Sequence, residues 1–172
     1  MDNYNDFCSK ILNIRNIDMK EKIKKIVKEE RINLNSKTND LSGYCKYIAS
    51  IIEERLKENN IKNYWIDLNE LINIDHVILI AEYKYDDQIK RFLIDPTYSQ
   101  FTRKQNAKLL KFNTWPSDNL DKNILEDLLL TGMTELNDYK FNNYLSAFGQ
   151  NISLSLDKFL LNNQMNSLSK RK

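Results

Sequence analysis

Cys45, His76 and Asp95 are residue types that could serve as thiol nucleophile, imidazole base and orienting carboxylate, and they occur in that chain order. A thiol becomes a useful nucleophile when its thiolate is stabilised. The first turn of a helix does this through unpaired backbone N–H groups and the positive end of the helix dipole. Ile48, Ile51, Ile52 and Leu56 recur at intervals of three and four, which predicts a helix opening at Tyr44 with Cys45 in its first turn. A cysteine at such a place is also a common small buried hydrophobe, so its chemistry depends on its partners. The chain has one histidine, so any imidazole base is His76; a lone histidine opening an apolar strand is otherwise a satisfied core or edge residue.

Asp95 becomes a partner through a hairpin. Residues 76–83 (HVILIAEY) and 89–95 (IKRFLID) read as strands, with a further strand over 61–68. If Lys84-Tyr85-Asp86-Asp87 is a four-residue loop, Tyr83 faces Gln88 and the antiparallel count sets His76 directly opposite Asp95. Opposed side chains on one face have Cβ atoms about 4.5–5.5 Å apart, within reach of a carboxylate–imidazole hydrogen bond. A slip of one place would put the two side chains on opposite faces. The plainer reading of Asp95 is a turn-starter before Pro96.

In the catalytic reading, His76 takes the thiol proton and returns one to the leaving amine. Asp95 fixes the ring tautomer and stabilises the cationic ring. An oxyanion hole would use the Cys45 N–H and a second donor. Asn39, six residues before the nucleophile, is a candidate and otherwise a solvated loop residue; Tyr44 and Trp65 are weaker ones. The polar stretches 33–42 and 97–115 adjoin the nucleophile and Asp95 as loops, so Asn39, Tyr44, Tyr98 and Gln100 are expected near the thiol in the walls of a substrate groove.

Around this centre the pattern predicts an amphipathic helix over 20–32, a short apolar piece at 109–112, and helices over 119–131 and 138–161, the last open to interruption at Gly149. The expectation is one α+β domain over 1–165 with a flexible basic tail over 166–172. The C-terminal helices serve as packing or as a docking surface.

Composition narrows the function classes. The 172 residues are 41% hydrophobic and 29% charged, which suits a folded globular chain. A net charge of +2 is too weak a field for a nucleic-acid binder, so no nucleic-acid partner is expected. Two cysteines, Cys8 and Cys45, do not make a disulfide framework and fit a reducing compartment; Cys8 reads as a spectator in a mobile N-terminal segment. The opening MDNYNDFCSK lacks the basic start and apolar run of an export signal, and no apolar run reaches membrane-span length. The expected location is cytoplasmic, or a target cell reached without such a signal. No metal is expected, since Asp86-Asp87 lies in a turn without nearby histidine or cysteine ligands. No phosphate-binding glycine loop occurs, and no cofactor is expected.

Gly43-Tyr44-Cys45 at a helix start, a histidine opening a strand, and a following strand ending Phe92-Leu93-Ile94-Asp95-Pro96-Thr97 resemble the transglutaminase-like core of the papain-like superfamily. Members carry G-x-C, a strand histidine and a closing D-P-T. The resemblance spans residues 40–101 and implies a nucleophile helix packed on an antiparallel sheet. It also implies acyl transfer on a protein or peptide carboxamide, with Cys45, His76 and Asp95 as the triad. Peptidases, glutamine deamidases, crosslinking enzymes and bacterial toxin or effector domains share the pattern. This chain departs from it in lacking a tryptophan two residues after His76 and in carrying Tyr44 as the aromatic before the cysteine. A binding protein that keeps the fold without turnover is the alternative. An acyl-CoA-dependent acetyltransferase is disfavoured by chain length and the lack of an evident cofactor pocket.

Overall fold

The architecture, seen in a computed structural model that describes residues 2–38, 41, 43–102 and 115–170, is α+β. A four-stranded antiparallel sheet of order β1-β2-β3-β4 lies between two helical layers. Its strands are β1 (Lys62–Asp67), β2 (Val77–Tyr85), β3 (Gln88–Ile94) and β4 (Met133–Glu135). No helix among the described residues is long and apolar enough to cross a membrane.

The central hairpin is buried on both faces, as its continuous apolar runs require. Ile78, Ile80 and Leu93 join Tyr64 and Ile66 against the C-terminal helices. These are α5 (Lys122–Thr131), α6 (Asp138–Ser146) and α7 (Leu156–Lys170), preceded by the single turn α4 (Pro116–Asn119). Val77, Leu79, Ala81, Phe92 and Ile94 face the other way, onto α1 (Asp2–Lys37) and α2 (Cys45–Glu58). A short helix, α3 (Leu68–Ile72), links β1 to the β2 approach, and a 3-10 turn over Tyr98–Phe101 follows β3.

The hairpin corrects the expected register. The loop is two residues, Asp86 and Asp87, with φ of 48° and 59°. Positive φ at both positions matches the twist of the flanking strands, and aspartate tolerates it better than most residues. Tyr85 therefore stays in β2 and pairs with Gln88, two places from the expected pairing of Tyr83. A two-place shift keeps the parity of every side chain, so His76 and Asp95 remain on one face. They meet diagonally across the ladder rather than directly opposite.

Other expectations change too. The helix over 20–32 is part of the 36-residue α1, which takes in Cys8 and continues through Asn33 and Ser36 to Lys37, so the loop expected from 33 is shorter. Leu34 extends the buried stripe of Ile23, Ile26 and Val27, which outweighs the loop preference of its polar neighbours. The helix over 138–161 is two helices separated at Gly149, which takes φ 102°. Helix α7 runs to Lys170, into the stretch expected to be a loose tail. The apolar piece at 109–112 lies outside the described residues.

Gly132 ties two layers together at the end of β3. It closes α5 in the left-handed region at φ 77°, and its carbonyl accepts the Asp95 N–H at 2.9 Å. A Cβ there would lie 2.8 Å from Arg31 Cδ and 3.0 Å from Val27 Cγ1. Arg31 is fixed by donating to the Leu129 and Leu130 carbonyls. Gly132→Ala is expected to cost about 1–3 kcal/mol from backbone conformation, with the clash adding to it. Urea unfolding measures this, and an unchanged midpoint would contradict it.

Candidate active site

The site forms at one end of the sheet, where the two helical layers reach past the strand ends. Helix α2 delivers Cys45 as its first residue. The N-cap residue Tyr44 makes no side-chain capping bond, and no acidic residue occupies the first turn. Within that turn no acidic side chain offsets the partial positive charge that the helix start presents to the sulfur, although the Asp95 charge beyond the imidazole works against the thiolate. The buried stripe Ile48, Ile52 and Leu56 presses α2 onto the sheet and fixes where the thiol sits. Cys45 is 7% exposed, and the Val77 N–H donates toward its sulfur.

His76 is held just before β2 by its backbone, whose N–H donates to Ile74 O at 2.8 Å while its carbonyl accepts from Leu68 N at 2.9 Å. The ring is fully buried. Nε2 lies 2.9 Å from Asp95 Oδ1, and the ring packs edge-on against Phe101 with centroids 4.8 Å apart. With Nε2 committed to the carboxylate, Nδ1 is the nitrogen left to exchange a proton with Cys45, whose sulfur is hydrogen-bonded to this imidazole. Gln100 Nε2 stands 3.5 Å from Nδ1 but makes shorter bonds to Thr97 O at 3.1 Å and Thr97 Oγ1 at 3.0 Å. At that distance the amide is a neighbour rather than a competitor for the nitrogen.

Asp95 is fully buried as well. Its Oδ1 takes the imidazole, and its Oδ2 accepts the Tyr144 hydroxyl from α6 at 2.6 Å. A buried carboxylate without such partners would be costly.

The electrostatics follow from these contacts. Burial pulls the His76 pKa down, but the charge of Asp95, its hydrogen bond and the Cys45 thiolate outweigh burial and raise it from 6.5 to about 9. Burial pushes the Cys45 thiol up. The hydrogen bond and charge of His76, helped by the Val77 N–H, overcome that and bring it below its ordinary value. Both displacements favour moving a proton from sulfur to imidazole, giving a thiolate–imidazolium pair.

The structure thus brings Cys45, His76 and Asp95 together and separates some of the other candidates from them. Tyr44 adjoins Cys45 and is 39% exposed, in edge contact with Tyr47 at 6.4 Å. Gln100 is beside the imidazole but buried, so it offers no groove wall. Tyr98 is 1% exposed, packed on Phe101 and Tyr144. Its ring completes the apolar cluster on that face of the sheet, and it lines no groove. Trp65 lies within β1 opposite Leu79, and Asn39 lies outside the described residues. Among those residues no group of three or more His, Cys, Asp and Glu side chains is placed to hold a metal.

Tyr144, Phe101, Gly132 and the Val77 N–H had no place in the triad read from sequence. Tyr144 did leave a signal. It lies on an aromatic stripe with Phe141 and Phe148, and a tyrosine on a stripe destined for burial needs a partner for its hydroxyl.

No protein-family model, curated protein or solved structure matches the chain.

Proposed function

We propose that the protein is a thiol enzyme that transfers the acyl group of a protein or peptide carboxamide through a thioester, on a core of transglutaminase-like, papain-like type. The observation that carries this reading is the buried chain of contacts from Cys45 through His76 to Asp95, with the thiol displaced toward thiolate and the imidazole toward imidazolium. The Cys45 thiolate attacks the carboxamide carbon, and the carbonyl π pair moves onto oxygen. When that oxyanion collapses the C–N bond breaks, and the leaving nitrogen takes the Nδ1 proton of His76. Water, or an acceptor amine, then attacks the thioester while neutral His76 receives its proton, and the thiolate is released. Asp95 stabilises the ring cation that is present until the leaving nitrogen takes its proton and that forms again when the attacking nucleophile gives one up. The Cys45 N–H supplies one oxyanion donor. Both cysteines are free, and the chemistry suits a reducing compartment such as a cytosol.

Iodoacetamide labelling at pH 7, with both cysteines mapped by mass spectrometry, tests the reading. Cys45 should react faster than Cys8, because the thiolate is the species that is alkylated and the Cys45 thiol is displaced toward it. His76→Ala should remove the difference. Equal or slower labelling of Cys45 would count against the proposal, because a thiol that a small alkylating agent cannot use is not open to a carboxamide. Incubation with a glutamine-rich protein then separates the chemistries. Ammonia release without new termini indicates deamidation, new termini indicate peptide-bond hydrolysis, and amine incorporation indicates transamidation.

A further inference from the structure

We propose that Tyr144 is a positioning residue of this site, its hydroxyl locking the Asp95 carboxylate so that Oδ1 stays aimed at Nε2 of His76. The inference rests on the proposed triad for its catalytic meaning, but its geometry and its test do not depend on turnover.

A carboxylate turns easily about its Cα–Cβ and Cβ–Cγ bonds, and one hydrogen bond to an imidazole does not fix its plane. Here both oxygens are engaged, Oδ1 at 2.9 Å by His76 and Oδ2 at 2.6 Å by Tyr144. The two donors come from opposite ends of the chain's topology, one from the approach to β2 and one from α6. The Asp95 backbone is anchored as well, its N–H donating to Gly132 O at 2.9 Å. Tyr144 is itself immobile: it is fully buried, and its ring packs against Tyr98 and Phe148 at 5.9 and 5.5 Å. Burial and the Asp95 charge raise the Tyr144 pKa well above its ordinary value, so its proton stays on the hydroxyl and the bond persists across the working range.

Without that hydroxyl the buried Oδ2 would have lost its donor. Taking up a proton, or rotating toward another donor, would each draw negative charge away from Nε2. The imidazole would lose basicity, and the Cys45 thiol would lose the cation that holds it as thiolate. Among the described residues the charged and titratable groups around this chain are Cys45 from α2, Arg31 from α1, which feels the Asp95 charge, Tyr98 from the 3-10 turn after β3 and Tyr144 from α6.

Tyr98 supplies the control. It belongs to the same aromatic cluster and is equally buried, yet its hydroxyl finds no hydrogen-bond partner among the described residues. Tyr98→Phe and Tyr144→Phe remove the same atom from neighbouring rings, and only one of those atoms touches Asp95.

The chain has one histidine, so NMR titration of its imidazole carbons reads His76 without assignment. Tyr144→Phe should lower the midpoint from about 9 by about one pH unit, the size of one hydrogen bond to a charged group. It should also slow Cys45 alkylation at pH 7 relative to Cys8. Tyr98→Phe should leave the midpoint in place and hold or raise the melting temperature. A midpoint in Tyr144→Phe that stays within a few tenths of wild type, in a protein with native backbone amide shifts, would overturn the proposal. So would equal displacement by both variants, which would mark a packing effect of the cluster. If Tyr144→Phe does not fold, NMR of the wild type still decides the matter: a slowly exchanging hydroxyl proton with a cross-peak to the Tyr144 ring is expected for a buried donor to Oδ2, and its absence would overturn the proposal. Failure of the enzyme reading would show differently, as unremarkable Cys45 labelling in the wild type with the Tyr144 effect on His76 intact.

Discussion

Asp95→Asn is expected to carry the His76 midpoint from about 9 to below the ordinary imidazole value of 6.5 and to reduce turnover by about four orders of magnitude. Burial acts on this ring more strongly than any other influence and favours the neutral form. The Asp95 charge is the largest of the opposing contributions. An asparagine keeps the shape and can still accept from Nε2–H while turning its amide toward the Tyr144 hydroxyl, so the loss is of charge rather than of packing. At neutral pH the ring would then be uncharged, the burial of Cys45 would lose the imidazolium that opposes it and keep only the weaker Val77 N–H, and the sulfur would remain a thiol. Imidazole NMR gives the midpoint. Loss of whichever product the wild type forms from a glutamine-rich protein gives the rate. A midpoint that holds near 9 in this variant would sink the assignment of Asp95 as the group that charges the ring.

That Asp95 could be found at all from sequence depended on parity rather than on the exact register. Counting back from a four-residue loop misplaced the pairing by two, because Asp86 and Asp87 adopt a two-residue turn and Tyr85 prolongs β2. An even error leaves each side chain on its face, and the reach of histidine and aspartate closes the diagonal to 2.9 Å. An odd error would have lost the pair. The place of Cys45 at a helix start was legible for a local reason: the apolar stripe from Ile48 to Leu56 fixes the helix, and a glycine at φ 83° precedes it at position 43. Contacts that join distant segments left weaker marks. Strand β4 is three residues long, too short for an alternation pattern, yet it completes the sheet and carries the chain past Gly132 to the Asp95 N–H. Tyr98 follows Pro96 in a polar tract and reads as loop, but the chain folds back in a 3-10 turn that buries it together with Gln100 and Phe101.

The C-terminal layer therefore does more than cover the sheet. Two of the hydrogen bonds that fix Asp95 have their far ends beyond residue 130: the Gly132 carbonyl on its backbone and the Tyr144 hydroxyl on its carboxylate. The stretch 40–101 contains Cys45, His76 and Asp95 but only part of what orients them. Loss of α5 or α6 packing should thus reach the imidazole through Asp95 before it reaches Cys45, whose position is set by α2 on the opposite face of the sheet.

Cys45→Ala should abolish turnover, a loss of about 10⁶ by comparison with removal of a triad nucleophile, while the fold stays intact. Alanine fits the first turn of a helix and leaves the stripe that seats α2 untouched. Cys8, the other thiol, lies early in α1, and Cys8→Ala should keep full activity. The same variant orders the contributions to His76. Removing the thiolate takes away a charge that raises the ring, so its midpoint should fall below about 9 but remain above that of Asp95→Asn, since Asp95 is the larger contributor. In Cys45→Ala the thiol no longer titrates, which leaves His76 as the displaced group with a clean pH signature. Its folded value lies above the ordinary 6.5, so the stability it confers is complete below pH 6.5 and is lost as pH rises through the folded midpoint. The melting temperature of Cys45→Ala should accordingly fall across that interval. A melting temperature flat from pH 6 to 9 would show that Asp95 does not favour the charged ring in the folded protein, and residual turnover within about a hundredfold of wild type would place the nucleophile at another residue.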